Sequence, residues 1–366
     1  MTTPAASSGP DFRVDERVLA LDFECLRSIP GGINEVRLWW DNLLSCRRVG
    51  KRLDVSGMEG DDVLPEPSTL QSINHRNVVE VMAAVNVSGY PPPMRVVELV
   101  TPYYERGSIT DALLRGETFT AGQAVATTQA ALRGLGHLHE VHGICHRDIK
   151  SGNILLTSDP ALAKVADLGL AGRFDSQGEV VIVNNPTPYS PWEFGTTGKL
   201  TRASDLYAVG LVMRELLAGP FPYAEIRTSD IVERLAKGRP ALLPEHLGLP
   251  IWASRSMLRF YRKATHRRPA ARFQSAAEMD AALTRVLAID WALTDDLRWE
   301  APFAHQPKSI AVEGREPKRA GGYRLSVLVK GGAGWRRVCA DLDVPALDSA
   351  DTRNLFDQAS QIAAVR

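Results

Sequence analysis

The sequence predicts an α+β chain: a strand-rich first part, a helical second part, and a small strand–strand–helix unit at the end. Two changes of hydrophobic period and one glycine-rich turn carry that prediction. From about Leu19 to Glu105, the segments VRLWW, RRVGKRLDV, VVEVMAAVNVS and MRVVELV are rich in β-branched and aromatic residues, separated by Gly, Pro and Asn turns. One helical segment, SINHRNVV with the residues before it, interrupts these strands. From Thr110 onward apolar positions recur three and four apart, in AGQAVATTQAALRGLGHLHEVHG and again in LYAVGLVMRELLAG, which is helical spacing. Past about Asp290 a polar, basic, proline-containing stretch, APFAHQPKSIAVEGREPKRAGG, reads as a linker or extended arm. YRLSVLVK and WRRVCADL then flank GGAG, a hairpin signal, and DTRNLFDQASQIAAV reads as an amphipathic helix capped by Asp351 or Thr352. The expected organisation is a disordered Ser-, Pro- and Ala-rich segment over 1–18, a strand-rich part over 19–105, a helical part over 106–290 and an extension over 291–366.

Composition narrows the class. The 366 residues suffice for a two-part catalytic domain and one accessory unit, and 44% hydrophobic content suits a folded protein with a sizeable core. Formal net charge is zero, so no global field favours nucleic acid or an anionic membrane. No apolar run is long enough to span a bilayer, and MTTPAASSGPDF lacks a charged start and an apolar signal core. Cys25, Cys46, Cys145 and Cys339 are scattered without a CxxC pair and read as reduced thiols of a cytoplasmic protein. Cys145 beside His146 reads as buried filler rather than a nucleophile.

The densest pattern is HRDIKSGN, from His146 to Asn153, followed by VADLGL with Asp167 and Gly169. These residues supply, in order, a carboxylate, a lysine, an asparagine and a second carboxylate, the polar groups that in-line phosphoryl transfer requires. The run resembles the catalytic loop and metal triplet of eukaryotic-type serine/threonine protein kinases. The resemblance spans about Leu19 to Asp290 and implies a bilobal fold with a β-rich small lobe and a helical large lobe. It implies that Asp148 accepts the proton of the attacking hydroxyl and that Lys150 neutralises charge on the transferring phosphate. Asn153 and Asp167 would hold magnesium, with manganese as a substitute. Lys150 with Ser151 and Gly152 is the serine/threonine variant of the loop, where tyrosine-specific members usually carry an alanine–arginine pattern. Leu168 replaces the phenylalanine of the metal triplet, a conservative apolar change.

For the ATP side, Ile29-Pro-Gly-Gly-Ile-Asn-Glu-Val36 stands where the family has GxGxxGxV. Val36 falls on the family valine and Gly31 on the middle glycine, while Ile29 and Asn34 replace the outer two. RRVGK then puts Lys51 on the lysine that grips the α- and β-phosphates, with Val49 two residues before it beside the nucleotide. Glu66, nine residues before His75, resembles the glutamate that orients this lysine. Pro65 and Pro67 bracket it, so its helix must begin close by and be short. Two readings stay open: conditional docking of that helix as a switch, or a short helix docked throughout. In VELVTPYYERGSITDAL, Thr101 matches the gatekeeper, and Pro102, Tyr103 and Tyr104 match the hinge that passes adenine.

Leu170 to Ser190 matches the activation loop, with Ser176, Thr187, Tyr189 and Ser190 as acceptors for autophosphorylation. Arg147 matches the arginine that orders such loops through phosphate. The run VVIV could instead form a strand and order the loop without phosphate. Pro191, Trp192 and Glu193 stand for the APE motif, and Glu193 is expected to pair with Arg272. Asp205 matches the aspartate that braces the catalytic loop. These bracing residues imply a protein substrate. The competing readings are a pseudokinase scaffold or allosterically activated regulator, and a nucleotidyl or small-molecule transferase. In the extension, expected as a docking unit for a regulator, Lys330, Arg336 and Arg337 near Trp335 are either a basic patch or a solvated hairpin face; Asp341 and Asp343 close behind favour the latter. The many alanines and arginines are compatible with a bacterial origin.

Overall fold

The computed structural model describes residues 21–29, 35–56, 67–159, 162–316, 321–332 and 334–364. The expected disordered segment 1–18, Gly31 and Asn34 of the glycine-containing stretch, and Glu66 lie outside the described residues. The chain divides into two compact units. The first holds the described residues up to Ser56 together with Ala83–Tyr103, and the second holds the described residues up to Met82 and from Tyr104 onward.

The first unit is an antiparallel sheet of β1 (Phe23–Ile29), β2 (Val36–Asp41), β3 (Cys46–Asp54), β4 (Ala83–Val87) and β5 (Val96–Pro102), in the order β1-β2-β3-β5-β4. Cross-strand partners share a face, and residues two apart on a strand share it too. Val36 pairs with Lys51, and Leu38 and Thr101 both pair with Val49, so Val36, Val49, Lys51 and Thr101 lie on one face. The opposite face is fixed by Glu98, which accepts from Trp39 Nε1 at 2.5 Å and from Arg52 Nε at 3.0 Å. Gly50 leaves room for this network: a Cβ there would lie 1.9 Å from Glu98 Oε1. The glycine between Val49 and Lys51 is thus a packing requirement.

The second unit begins with α1 (Pro67–Ser72), shorter than the helical stretch expected through Val79. The chain beyond it is held instead by Asn77, whose Nδ2 donates to Ala163 O at 2.9 Å while its carbonyl accepts from Val165 N at 2.9 Å. Then come α2 (Ile109–Leu114) and α3 (Ala121–Glu140). Thr120 and Gln123 close a capping box on α3, satisfying the first orphan amides. Short pairs follow: β6 (Ile144–Cys145), β7 (Ile154–Leu155), β8 (Lys164–Val165), β9 (Gly172–Arg173), β10 (Val180–Val181) and β11 (Lys199–Leu200), with β6 on β9, β7 on β8 and β10 on β11. Four helices complete this part: α4 (Arg202–Ala218), α5 (Thr228–Ala236), α6 (Arg255–Ala264) and α7 (Ala276–Leu283). Buried on nearly every side, α4 is the central post.

The extension corrects the expected strand–strand–helix unit. It is a six-stranded antiparallel sheet of β12 (Ala292–Asp295), β13 (Arg298–Pro302), β14 (Ser309–Arg315), β15 (Tyr323–Gly331), β16 (Gly334–Arg337) and β17 (Leu342–Val344), with α8 (Ala350–Ala364) against it. The stretch expected as a linker supplies part of β13 and all of β14. Ile310 and Val312 alternate toward α8 and pair with Val329 and Val327, so burial outweighs the flanking prolines and charges. The hairpin across residues 331–334 is present as β15 on β16. The α8 cap also differs from expectation: Ser349 Oγ accepts from Thr352 N at 3.2 Å.

Trp291, Trp299 and Phe356 anchor this core, with edge-to-face ring contacts at 5.3 and 5.4 Å. The sheet and α8 dock on the helices: Arg353 donates to Pro250 O and Leu249 O, Asp357 accepts from Arg255 N, and Asp290 accepts from Gly122 N at the start of α3. On the sheet's other face Trp335 lies under Arg298 at 4.6 Å and Lys330 at 5.8 Å. Arg298 pairs with Glu300 and Glu313, Arg324 with Asp343, and Arg337 with Asp341, which answers much of the face's positive charge locally.

Candidate active site

Asp205, buried near the start of α4, builds the loop that carries Asp148. Its carboxylate accepts from His146 N at 2.8 Å and Arg147 N at 3.0 Å, and lies 2.8 Å from His139 Nε2. Burial alone would push this carboxyl up, but the bonds from His139 and His146 hold it below the usual range. Those bonds also hold Arg147 at φ 63°, a left-handed conformation that a side chain rarely adopts without such support. His146 is fully buried, accepts from Asp148 N through Nδ1 at 3.3 Å and lies 2.9 Å from Ala166 O through Nε2. Both contacts are satisfied when the proton sits on Nε2. The pattern thereby links the residue before Asp167 to the loop bearing Asp148.

The turn Ser151–Asn153 closes the cluster. Asn153 Nδ2 donates to Asp148 O at 2.8 Å and Asp148 Oδ2 at 3.0 Å, and Lys150 Nζ donates to the same Oδ2 at 2.7 Å. Ala166 N bonds Asn153 O at 2.8 Å, and Asp167 follows at φ 61° with its carboxylate accepting from Gly169 N. Asp148, Lys150 and Asn153 therefore share one bonded cluster, with Asp167 joined to it through the backbone. Because the Asn153 amide nitrogen is spent on Asp148, its oxygen is the end that remains for a cation. An amide oxygen with a carboxylate is a hard donor set that fits magnesium bound with phosphates, an ion that takes few protein ligands. Among the described residues no group of three or more His, Cys, Asp or Glu could hold a metal by itself.

Lys51, Val36, Val49 and Thr101 share a face of the first unit's sheet, while Pro102 pairs with Arg48. Tyr104 belongs to the second unit, where burial and then Glu80 push its hydroxyl pKa up.

The segment from Leu170 to Ser190 is tied down by its neighbours in the second unit. Val180–Val181 forms β10 on β11, and Glu179 pairs with Lys199 at 2.5 Å. Arg147 donates to Leu170 O, Ala171 O and Val181 O at 2.5, 2.7 and 2.8 Å. Of the four hydroxyls named as acceptors, Tyr189 and Ser190 are buried, Thr187 is half-buried and Ser176 is exposed. Beyond it, Arg272 and Glu193 form a bidentate buried pair at 2.7 and 2.8 Å. One feature escaped the sequence reading: Glu215 on α4, fully buried, accepts from Ser151, Tyr189, Tyr223 and Phe221 N. Only the run of apolar residues around it marked Glu215 as unusual.

The protein kinase domain pattern matches residues 34–283. The chain belongs to the protein kinase family. Membership carries the bilobal kinase fold, ATP as phosphoryl donor and divalent metal as the family's general means. The chain is 27% identical over 223 residues to a probable serine/threonine-protein kinase of Dictyostelium discoideum, covering 60% of this chain and 42% of that one. It is 27% identical over 256 residues to serine/threonine-protein kinase 12 of Arabidopsis thaliana, covering 66% and 51% respectively. It is also 28% identical over 214 residues to ephrin type-A receptor 5 of Rattus norvegicus, covering 57% of this kinase and 20% of the receptor. The kinase thus spans about half, or less, of these relatives' lengths. Among its described residues no helix is long and apolar enough to cross a membrane.

Proposed function

We propose that this kinase transfers the γ-phosphate of ATP, with magnesium, to serine and threonine hydroxyls of protein substrates. The observation that carries the reading is the cluster in which Asn153 and Lys150 both bond the Asp148 carboxylate within a loop braced by Asp205. Asp148 takes the proton from the acceptor hydroxyl as its oxygen attacks. Lys150, half-exposed beside it, balances charge on the transferring group. Asn153 and Asp167 hold the metal, and magnesium bound with ATP supplies neutralisation of the phosphate charge. Lys51, oriented by Glu66, holds the α- and β-phosphates, with Gly31 in the loop over them. Val36, Val49, Thr101, Pro102 and Tyr104 receive the adenine. The choice of serine and threonine rests on Lys150-Ser151-Gly152 and on the likeness to two serine/threonine-protein kinases. The buried Glu193–Arg272 pair supports a protein acceptor, because it fixes the segment from Thr187 to Glu193 in the large helical part. Four unpaired cysteines support a reducing, cytoplasmic setting.

The test is transfer of labelled γ-phosphate from ATP to casein and histone, wild type beside Asp148→Asn. Wild type should label serine and threonine. The variant should lose about 10²- to 10⁴-fold in rate while still binding nucleotide, because it removes the base and leaves the phosphate contacts. Wild-type-like turnover by Asp148→Asn would overturn the assignment, and label on tyrosine alone would overturn the specificity.

A further inference from the structure

Between Glu245 and Glu278 the sequence has no acidic residue, yet it holds seven arginines and lysines in a chain of zero net charge. Most of them lie on α6 and the turn after it. Met257, Phe260, Tyr261 and Ala264 bury one side of α6. At about 3.6 residues per turn, Arg255, Arg259 and Arg262 form an exposed stripe along the other side. Local energetics disfavours that stripe. Arg259 stands four residues from both Arg255 and Lys263 and three from Arg262, spacings at which like charges repel. Arg255 also sits at the positive end of the helix dipole, in a first turn that carries no acidic residue.

Only part of the charge is answered. Arg255 lies 3.7 Å from Asp357, and Lys263 pairs with Glu278 at 2.6 Å. Arg259 and Arg262 make no ion pair among the described residues. The extension adds to the field at this face: burial first, and Arg262 against the opposing pull of Asp348, hold the Arg353 guanidinium below its ordinary range. We infer that the Arg259 and Arg262 face of α6 docks an acidic segment of the protein substrate, giving it a second point of attachment besides the one at Asp148. The inference rests on the reading of the chain as a kinase of protein substrates. The spacing suits a row of carboxylates. Along the axis the three arginines rise by about 6 and 4.5 Å, and alternate side chains of an extended peptide stand about 6.8 Å apart. The planar arginine fork grips carboxylates through paired hydrogen bonds. A nucleic acid needs a longer basic track or aromatic rings for its bases, and Phe260 and Tyr261 face inward. An anionic membrane needs apolar side chains to insert, and the apolar side of α6 is packed into the core.

The test uses the full chain and a fluorescein-labelled decaglutamate peptide, with binding followed by anisotropy in the absence of ATP. Wild type should bind it, more weakly as salt rises. The double variant Arg259→Gln/Arg262→Gln should lose about 10-fold in affinity, the scale of two exposed ion pairs. Arg227→Gln/Arg315→Gln, the same change of charge at exposed arginines elsewhere, should bind as wild type does. In transfer assays, unlabelled decaglutamate should raise the wild-type KM for casein, an acidic protein. Arg259→Gln/Arg262→Gln should raise that KM about 10-fold by itself, with KM for ATP unmoved. Equal binding of decaglutamate by wild type and Arg259→Gln/Arg262→Gln, or an equal loss in the control pair, would overturn the proposal. So would tighter binding of decathymidylate or phosphatidylserine vesicles through the same arginines, an unmoved KM for casein, or label on histone alone. Failure of the kinase reading looks different: wild type would then transfer no label, while anisotropy would still read the surface.

Discussion

Replacing Arg272 by methionine tests a buried ion pair of the kinase. The Arg272 guanidinium is fully buried and every nitrogen is used: Nε on His266 O at 2.6 Å, the two terminal nitrogens on Glu193 at 2.7 and 2.8 Å, and further bonds to Ala203 O and Arg267 O. Its face rests on Tyr207, 4.8 Å from the ring centroid. Methionine fills much of the volume but strands Glu193, whose remaining side-chain donor is Ser204 Oγ at 2.7 Å. Breaking a buried pair on one side costs about 3–5 kcal/mol, mostly the desolvation of the orphaned charge. At about 2–4 °C per kcal/mol for a folding unit of 150–250 residues, Tm should fall by about 6–20 °C. Thermal and urea unfolding followed by far-ultraviolet circular dichroism would measure it. Adding Glu193→Leu should recover part of the loss, since no charge then remains to be stranded. A loss below about 1 kcal/mol for Arg272→Met would match a solvated surface pair and refute the argument from burial.

Three further outcomes follow from particular contacts. Gly134→Ala, in the middle of α3, would ordinarily gain about 1 kcal/mol of helix propensity. Here the new Cβ would lie 2.2 Å from Asn77 O, so a loss of about 1–3 kcal/mol in urea unfolding is expected, and any gain would contradict the close approach. His75 stacks on His137 at 4.9 Å, and His137 meets His142 with Nε2 atoms 3.2 Å apart. Burial first, then His137, Lys164 and Arg76, lowers the pKa of His75; burial and then His142 lowers that of His137. Folding thus favours the neutral rings. Their contribution is present above the unfolded value of about 6.5 and is lost as pH falls through the lowered folded values. Wild-type Tm should decline below that pH more steeply than that of His137→Gln, and parallel curves would refute the coupling. Phosphatase-treated kinase should keep most of its transfer rate, because backbone carbonyls already engage Arg147 and β10 already orders the segment; loss of activity restored by autophosphorylation would show that phosphate is needed.

What was legible in the sequence differs from what was not by the distance over which the cause acts. The cluster around Asp148 could be read because its partners are two and five residues away, so spacing along the chain is nearly spacing in space. The strand at VVIV was visible for a similar reason, since a β-branched run favours a strand wherever a partner is offered, and Lys199–Leu200 offers one. The extension was misread at SIAVEGR because its alternation is short and sits between prolines and charges. Only the Trp291, Trp299 and Phe356 core, assembled from three separate segments, makes that strand worth forming. Glu215 lies at the far end of the same scale. Its partners stand 64, 26 and 8 residues away, and nothing local distinguishes a glutamate in MRELLAG from one that faces water. The informative signal was negative: α4 is buried on nearly every side, so a charge in its interior had to be answered by something. A helix without a polar face makes each of its charged residues a question about a distant partner. Asp205 and Glu215 answer it at two levels of the same post, one bracing the amides before Asp148 and the other joining the turn after it to Tyr189. The catalytic loop is thereby held from both ends by a single helix, which explains why α4 accepts two buried carboxylates that an apolar helix would otherwise exclude.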